Sequence, residues 1–431
     1  MTLSSQLRDK SARIGVLGLG YVGLPLAMEF CRKGFRVLGV DVSRERVASL
    51  RKGRSYVLDV RGDDLSRARA AGLFEADTRF DGLGACDVLI VCVQTPLRKS
   101  REPDVSNVVS AVGQIAKRLR KGQLVVLEST TFPGATDEIV RPILEERGRR
   151  VGREFFLAFS PERVDPGNPT FGITNTPKVV GGCDPVSTRL AVELYSQIVE
   201  EVVPVSSTKA AELVKLLENS FRSVNIALVN EMARVCNRLG LDVWEVVAAA
   251  ATKPFGFMPF YPGPGIGGHC IPKDPQLLAW KMRTLNFEPR LIQLASTING
   301  AMPEYSVARL AEVLNADKKP LNGSRVLVLG VAYKPHTSDY RESPSLDVIT
   351  ILREAGAEVS YFDPYVPRVE LAGATMKSIK LSDAAIKGAD CVAILTHHKD
   401  VDYARVAKLA RRVFDARNAT KGLARENISR L

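Results

Sequence analysis

Several features that would place this 431-residue chain in a membrane, secreted or metal-binding class are missing. No run of eighteen apolar residues occurs, so a membrane-spanning helix is not expected. The N-terminal segment MTLSSQLRDK has no apolar core of the kind found in secretory signal peptides. The seven cysteines are scattered without a CxxC pair, which argues against a disulfide framework or a zinc ribbon. These absences predict a cytoplasmic protein with reduced thiols and no metal site.

Aromatic residues make up only 6% of the chain, although its formal net charge is +12. Proteins that bind nucleic acids usually cluster their basic residues and place aromatic residues among them. Here Lys and Arg are spread along the chain and are interrupted by acidic residues. A solvated basic surface that suits anionic small substrates is therefore favoured, and nucleic-acid binding is the alternative.

The order of the apolar segments predicts an α/β fold with two Rossmann-like, doubly wound domains joined by a long central helix. In the first third, short apolar runs alternate with amphipathic segments, with strands predicted at 13–17, 36–40, 87–93 and 124–127 and helices at 24–33 and 105–120. The pattern changes over about 208–251, where the segment 208–240 has no Pro and no Gly before Gly240 and its apolar residues recur at three and four, which predicts the long helix. A second strand, turn and helix pattern begins at 324–335 and repeats the first.

A glycine-rich turn follows the first predicted strand. Gly18, Gly20 and Gly23 form a GxGxxG pattern between that strand and a helix. Such glycines permit a tight turn and a close approach of the backbone to a pyrophosphate. Asp41 ends the next strand, where an acid can accept hydrogen bonds from ribose hydroxyls, so NAD is predicted as the cofactor. Arg46 lies nearby, and because an Arg can accommodate a 2′-phosphate, NADP is the alternative.

A second glycine- and proline-rich segment, PGPGIGGHCIPKDP at residues 262–275, carries a cysteine, Cys270, and an acid, Asp274, in its second half. Pro and Gly are unfavourable inside helices and strands, so this stretch is predicted to be a loop of defined shape. The other six cysteines lie in or beside apolar elements and are expected to be inert packing. Cys270 follows glycines that can bring the backbone close to a ligand. If a helix begins near Pro272, Asp274 lies on the same side as Cys270.

The order of these motifs resembles that of the UDP-glucose/GDP-mannose dehydrogenase family, the nucleotide-sugar 6-dehydrogenases. The resemblance spans almost the whole chain and rests on GLGYVGLP, VQTP, PDVS, ESTTFPGAT, SPERVDPGN, TKAAELVKLLENSFRSVNIALVNE, PGPGIGGHCIPKDP and YKPHTSDYRESPS. It implies an NAD-binding Rossmann domain over 1–205, a central helical dimerisation region over 206–305, and a C-terminal UDP-sugar-binding domain over 306–431. It also implies a homodimer that oxidises a sugar C6 alcohol twice to a uronic acid, for surface polysaccharide biosynthesis.

The resemblance also implies roles for individual residues. A thiolate traps the intermediate aldehyde as a thiohemiacetal, whose oxidation gives a thioester that water hydrolyses. The implied catalytic residues are Cys270 as nucleophile, Asp274 in proton transfer, Lys215 and Asn219 on the oxyanion, Glu162 as general acid/base and Thr130 in positioning. The implied cofactor contacts are Gly18, Gly20, Tyr21, Val22, Gly23, Asp41, Arg46, Thr95, Thr130 and Arg341. The implied substrate contacts are Glu162, Arg163, Val164, Lys215, Asn219, Arg222, Phe260, Gly263, Gly265, Gly267 and Lys334.

The segment SPERVDPG bears on which sugar is expected. Members that use UDP-glucose or GDP-mannose usually have NPEFLREG at this point, whereas Arg163 and Val164 resemble the branch that acts on N-acetylhexosamines. UDP-N-acetylglucosamine is the expected substrate, and UDP-N-acetylmannosamine and UDP-glucose are the alternatives. A two-electron hydroxyacid dehydrogenase is a more distant alternative. Such an enzyme needs no cysteine, so the GGHC motif of this chain counts against it. A non-catalytic nucleotide-binding protein is disfavoured by the presence of the complete set of catalytic residues.

Overall fold

The computed structural model describes residues 2–57, 59–98, 100, 102–165, 168, 170–268, 270–371 and 373–431. The chain divides into two compact units, residues 1–218 with 276–287 and residues 219–275 with 288–431. The sheet of the first unit is parallel except at one pairing, that of the second unit is parallel, and the long helix predicted between them along the chain is present. The predicted fold class is therefore confirmed. Among the described residues, no helix is both long enough and apolar enough to cross a membrane.

The first unit is built on an eight-stranded sheet with the order β3-β2-β1-β4-β5-β6-β7-β8. The strands are β1 Arg13–Leu17, β2 Arg36–Val40, β3 Phe74–Asp77, β4 Val88–Val91, β5 Leu124–Leu127, β6 Phe156–Phe159, β7 Lys178–Gly182 and β8 Val202–Pro204. The pairing of β6 with β7 is antiparallel, and the other pairings are parallel. The helices are α1 Leu3–Arg8, α2 Gly23–Arg32, α3 Arg44–Arg51, α4 Gly62–Ala70, α5 Ser106–Arg118, α6 Arg141–Glu145 and α7 Pro185–Tyr195, with a 3₁₀ turn at Asp81–Ala85 and a π turn at Thr136–Val140.

The central strands of this sheet are apolar on both faces because helices cover both sides. Successive side chains of a strand point to opposite faces. Val88 and Ile90 accordingly pack into one apolar cluster, whereas Leu89 and Val91 pack into another. A strand buried on both faces is a continuous apolar run, which is the pattern that predicted it.

The second unit contains a five-stranded parallel sheet with the order β10-β9-β13-β14-β15 and a separate hairpin, β11-β12. Its strands are β9 Arg325–Leu329, β10 Glu358–Phe362, β11 Arg368–Leu371, β12 Ala374–Lys377, β13 Cys391–Ile394, β14 Val413–Asp415 and β15 Ile428–Arg430. Its helices are α9 Val243–Ala250, α11 Arg290–Gly300, α12 Met302–Asn315, α13 Pro344–Glu354, α14 Asp383–Gly388 and α15 Tyr403–Leu409. The helices α8 Thr208–Leu239 and α10 Asp274–Arg283 each begin in one unit and end in the other.

The long helix predicted from residues 208–240 is present as α8, and the apolar segment that continues to residue 251 forms a separate helix, α9. Helix α8 ends at Leu239, and Gly240 follows with a φ of +69°, in the left-handed region that commonly terminates helices. Asp242 then caps α9, since its carboxylate accepts a hydrogen bond from Trp244 N at 2.8 Å. A glycine and a capping aspartate therefore outweigh the helical apolar spacing on either side of them.

A buried glutamate attaches α8 to the loop that follows β5. The carboxylate of Glu212 is 1% exposed and accepts hydrogen bonds from Thr136 N at 2.8 Å, from Thr136 Oγ1 at 2.7 Å and from Gly134 N. Burial is the largest effect and raises the pKa of Glu212 to about 7. The hydrogen bonds from Thr136 and Gly134 lower this pKa, and the charge of Asp137 raises it. The proton that Glu212 loses near pH 4.5 in the unfolded chain is therefore retained in the folded chain up to about pH 7.

This difference predicts a pH-dependent stability that Glu212→Gln removes. Between about pH 4.5 and 7 the folded state binds one more proton than the unfolded state, so rising pH lowers the free energy of unfolding. Urea unfolding at pH 5, 6, 7 and 8 measures this. We expect the free energy of unfolding of the wild type to fall, relative to that of Glu212→Gln, by up to about 1.4 kcal/mol for each pH unit between about 4.5 and 7. Glu138→Gln, at a half-exposed site, is the control. Parallel pH profiles for wild type and Glu212→Gln would contradict this prediction.

Candidate active site

The glycine triplet after β1 has the geometry of a dinucleotide turn. Gly18 has a φ of +92°, and a Cβ on it would lie 2.7 Å from the carbonyl oxygen of Cys92. A Cβ on Gly23 would lie 1.9 Å from the oxygen of Gly18, so the first turn of α2 can pack against β1 only if this residue is glycine. A Cβ on Gly20 would meet no atom within 4 Å, because this residue borders open space at the start of α2. These positions fit a pyrophosphate held at a helix N-terminus.

Asp41 lies at the carboxyl end of β2 and supports the same turn. Its side chain is 6% exposed and accepts hydrogen bonds from Leu19 N and from Ser43 N, each at 2.9 Å. Arg46 lies 3.6 Å from the same carboxylate and stacks over Tyr56. An acid held at this strand end suits the ribose hydroxyls of NAD, so the residues present fit this cofactor.

The other predicted cofactor contacts lie at strand ends or on the surface. Thr95 follows β4 and is 5% exposed, and its hydroxyl donates a hydrogen bond to the Thr130 carbonyl at 2.5 Å. Thr130 itself is half-buried after β5. Tyr21 is 51% exposed in the glycine turn, and Val22 immediately precedes α2. The carboxyl ends of β1, β4 and β5 therefore bring this part of the predicted set to one edge of the first sheet.

Glu162 lies after β6 and is held by its own backbone neighbourhood. Its Oε1 accepts hydrogen bonds from Arg163 N and Val164 N, each at 2.7 Å, and its Oε2 lies 3.6 Å from Lys178 Nζ. Burial opposes the charge, but Lys178, the two N–H groups and Lys215 lower the pKa of Glu162 below its ordinary value. Glu162 is therefore a carboxylate near neutral pH, suited to accept protons.

Arg163 contacts Glu162 through its backbone N–H, whereas its side chain contacts other residues. It donates to the Pro177 carbonyl at 2.7 Å and forms an ion pair with Glu218 at 2.6 Å. Pro166 and Gly167 of the SPERVDPGN motif, and Pro169 directly after it, lie outside the described residues.

In the second unit, the loop before Cys270 is packed tightly against the turn that follows β9. Gly263 N donates to the Asn230 side chain at 3.0 Å. A Cβ on Gly267 would lie 2.8 Å from Tyr333 Cβ and from the Glu342 carbonyl oxygen, and a Cβ on Gly265 would lie 2.8 Å from Pro344. The glycines of this motif are therefore required by close packing. His269, within GGHC, lies outside the described residues.

Cys270 and Asp274 are related by one helical turn. The thiol of Cys270 is reduced and exposed, and Asp274 N donates to the Cys270 carbonyl at 2.8 Å. Helix α10 begins at Asp274, two residues later than predicted. The carboxylate of Asp274 is 2% exposed and accepts a hydrogen bond from Asn219 Nδ2 at 2.6 Å. The structure thus brings three of the predicted catalytic residues together within the second unit.

The turn after β9 carries Lys334 and Arg341, and a buried histidine accepts a hydrogen bond from its backbone. His398 is 1% exposed, and its Nδ1 accepts a hydrogen bond from His336 N at 3.2 Å. The proton of His398 therefore lies on Nε2, which is 3.2 Å from Asp363 Oδ2. Arg341 forms a double contact with Asp339 of the same turn, at 2.7 and 2.8 Å.

The remaining predicted substrate contacts are on or near α8. Arg222 is exposed one turn beyond the buried Asn219, and Phe260 lies edge to face against Phe221 with ring centroids 5.8 Å apart. Lys215 is half-buried and lies four residues before Asn219 on the same helix. This spacing puts both on one face of α8, as predicted.

Comparison with known families now identifies the chain. Models of the UDP-glucose/GDP-mannose dehydrogenase family match its NAD binding domain to residues 12–199, its central domain to 209–301 and its UDP binding domain to 327–422. The chain belongs to this family. It is an NAD-dependent dehydrogenase of UDP-sugars, and the prediction of NAD as cofactor is confirmed.

Individual relatives are similar over most of their length. The UDP-N-acetyl-D-glucosamine 6-dehydrogenase of Pseudomonas aeruginosa is 38% identical over 359 residues, covering 83% of this chain and 84% of the relative. The UDP-N-acetyl-D-mannosamine dehydrogenase of Pyrococcus horikoshii is 36% identical over 416 residues, covering 95% of this chain and 96% of the relative. The solved structure of UDP-D-ManNAc dehydrogenase from the same organism has a TM-score of 0.89 at 34% identity, covering 97% of this chain and 98% of that one.

Several residues around the site were not predicted from the sequence. Lys178, Glu128 and Tyr195 form a buried polar cluster with Glu162, and Glu212 and His398 support loops that carry predicted site residues. The available signal was a charged residue directly beside a buried apolar strand, as in VVLEST and KVVGG. Such a charge needs a buried partner, but the sequence does not show which one.

The open space at Gly20 yields a test of the cofactor site. We expect Gly20→Ala to fold normally but to raise the Kd for NAD by about tenfold or more, ~1.4 kcal/mol, because the added methyl occupies space beside the pyrophosphate turn. Calorimetric titration with NAD measures this change, and thermal unfolding checks the fold. Gly113→Ala on α5 is the matched control, since its Cβ also meets no atom within 4 Å. Equal NAD affinity in both variants would contradict the assignment.

Proposed function

We propose that this protein oxidises the C6 hydroxyl of a UDP-N-acetylhexosamine to the carboxylate in two successive NAD-dependent steps. The observation that carries the proposal is the exposed Cys270 thiol one helical turn before the buried Asp274, which is hydrogen-bonded to Asn219. The names of the two relatives support an N-acetylhexosamine as the sugar. We also infer functional regions at 1–205 for NAD, 206–305 for the dimer and the cysteine loop, and 306–431 for the UDP-sugar.

The proposed chemistry needs a covalent hold on the sugar between the two oxidations. NAD, held at the glycine turn after β1, would supply the hydride acceptor for both oxidations. The Cys270 thiolate adds to the aldehyde carbon formed at C6 and gives a thiohemiacetal, whose oxidation leaves a thioester. Asp274, one turn beyond, first takes the proton of the Cys270 thiol, and it returns this proton to the oxyanion that forms at C6 when the thiolate adds. Asn219 donates to Asp274 and so keeps this carboxylate oriented.

Release of the product requires an activated water. Glu162 is ionised because of its cationic and N–H neighbours, so it serves as the base that removes the proton of the attacking water. Thr130 positions the substrate, and the ammonium group of Lys215 stabilises the oxyanion that forms at C6. The tetrahedral intermediate then collapses and expels the Cys270 thiolate. These roles use Glu162 as a base in the hydrolysis step.

The proposed sugar is UDP-N-acetylglucosamine, with its C2 epimer UDP-N-acetylmannosamine as the second candidate. The first is favoured by the higher identity of its relative, 38%, and the second by a relative that covers more of the chain, 95%. NADH formation from UDP-GlcNAc, UDP-ManNAc, UDP-GalNAc and UDP-glucose tests both. We expect the highest kcat/KM for UDP-GlcNAc. A maximum for UDP-ManNAc would select the epimer, and activity with UDP-glucose alone would overturn the proposal.

Replacement of the nucleophile tests the covalent mechanism. We expect the wild type to form two NADH per sugar and Cys270→Ala to lose turnover and release no uronic acid, since the aldehyde is no longer held. Cys183→Ala is the matched control, because this half-buried thiol lies beside Asp137 and burial raises its pKa. Both variants are followed by absorbance at the NADH maximum and by chromatography of the sugar nucleotides. A Cys270→Ala enzyme that releases uronic acid at the wild-type rate would exclude this nucleophile.

A homodimer is the assembly that we propose. From Phe221 to the end of α8, exposed apolar side chains recur at intervals of seven, four, three and four residues, namely Phe221, Leu228, Met232, Val235 and Leu239. Their exposed fractions range from 36% to 66%. Such a stripe on a helix is unfavourable in water and suits contact with a second copy of the chain.

A charge placed on this stripe should prevent the association. We expect Leu228→Glu to sediment as a monomer at micromolar concentration and the wild type as a dimer, because an unpaired carboxylate in an apolar interface is strongly unfavourable. Leu285→Glu, also at an exposed leucine but outside α8, is the control and should remain dimeric. Analytical ultracentrifugation measures the masses. A monomeric wild type would contradict the homodimer.

A further inference from the structure

Lys178 lies at the centre of a buried cluster in the first unit. It begins β7, and its side chain is 6% exposed. Its Nζ lies 3.2 Å from Glu128 Oε2 and 3.6 Å from Glu162 Oε2. The side chain of Glu128 is fully buried, and that of Glu162 is 14% exposed. One ammonium group therefore stands between two carboxylates that water scarcely reaches.

The inner half of this cluster holds the ammonium group in place. Glu128 also accepts a hydrogen bond from the Tyr195 hydroxyl, and Lys178 Nζ lies 5.0 Å from the centre of the Tyr195 ring. The carbonyl of Pro161 accepts a further hydrogen bond from Nζ at 3.5 Å. Burying a charge is unfavourable unless the charge is paired and hydrogen-bonded, and here both conditions are met.

The outer carboxylate has one oxygen saturated and one directed at the ammonium group. Glu162 Oε1 takes two backbone hydrogen bonds, whereas Oε2 is buried and makes no hydrogen bond within the described part of the chain. The Thr176 hydroxyl is likewise buried and makes no hydrogen bond to the described residues. Both residues line, with Lys178, a cavity of about 10 Å³, which is close to the smallest space that holds one water molecule.

We propose that Lys178 is a positioning residue for the hydrolysis step, in which its ammonium group holds Glu162 ionised and aims Oε2 at a water molecule in the adjoining cavity. Glu128 and Tyr195 fix the ammonium group on the opposite side. Lys178 need not touch the sugar to do this, because it acts through Glu162. The inference rests on the proposed function, since it concerns the base that releases the uronic acid.

The charge state of Glu162 depends on groups from several elements. Lys178 on β7 and Lys215 on α8 favour its ionised form, as do the two backbone N–H groups. Glu128 after β5 is a second carboxylate beside Lys178, and the half-buried Cys92 and the buried Tyr195 lie close enough to be affected by the same charges. Without Lys178, burial and the Glu128 carboxylate both oppose ionisation of Glu162. Loss of the ammonium group must therefore shift catalysis to higher pH.

The test compares the pH profile of uronic acid release in wild type, Lys178→Met, Lys178→Arg and Thr176→Val. An opposite charge at this distance moves a carboxyl pKa by about 1–3 pH units, so we expect the acid limb of Lys178→Met to move upward by that amount. Release below the wild-type midpoint then falls by about tenfold for each pH unit through which the limb moves. Lys178→Arg restores the wild-type limb. Thr176→Val alters the cavity without changing a charge, so it lowers the rate but leaves the limb in place.

A merely structural role for Lys178 would lower the rate equally at every pH, and that result overturns the inference. In a Glu162→Gln background, Lys178→Met should leave the pH profile unchanged, and a further shift there would also overturn it. If Lys178→Met does not fold because Glu128 loses its cation, the double variant Glu128→Gln/Lys178→Met removes both charges and still predicts an upward shift. A wild type that forms no NADH from any UDP-sugar refutes the proposed function, whereas normal wild-type turnover with an unshifted Lys178→Met refutes only the inference.

Discussion

The first sheet depends on carboxylates that bind the backbone at both ends of its central strand. Asp87 accepts a hydrogen bond from Arg13 N, at the beginning of β1, at 2.8 Å, and Asp41 accepts one from Leu19 N, just beyond its end, at 2.9 Å. A buried N–H group without a partner costs about 1–3 kcal/mol, so each aspartate removes a penalty at a point where the strand ladder stops. With both ends held, Gly18 can take its left-handed conformation and α2 can begin beside the strand.

The second sheet repeats this arrangement with different residues. Asp390 accepts from Arg325 N at 2.8 Å at the beginning of β9, and Asp363 accepts from Val331 N at 2.8 Å beyond its end. Gly330, with a φ of +84°, stands where Gly18 stands in the first sheet. The turns then differ, because no glycine triplet follows here and Asp363 also contacts a buried histidine. The same backbone constraint therefore supports a dinucleotide turn in one unit and a turn carrying a lysine and an arginine in the other.

The parts of the fold that were predictable are those in which one local pattern determines the outcome. The strands at 36–40 and 124–127 coincide with β2 and β5 because both are continuous apolar runs bounded by polar residues. The hairpin β11-β12 and the antiparallel β6-β7 pairing were not predicted, since their short strands lack a distinctive period. The long helix was predictable from residues 208–240 because this segment contains no Pro and no Gly before Gly240, and α8 ends at Leu239.

The candidate site was predictable to a similar extent, and for the same reason. Cys270 and Asp274 lie within one motif, so their relation by a helical turn follows from local sequence. Lys178 and Glu128 are fifty positions apart and meet only because β7 and β5 belong to the same sheet. Each of them sits beside an apolar strand, where an unpaired charge would be untenable, so the sequence shows that a partner must exist but not which one. Residues that act directly on a ligand are therefore concentrated in motifs, whereas the residues that set their charge and orientation are distributed through the fold.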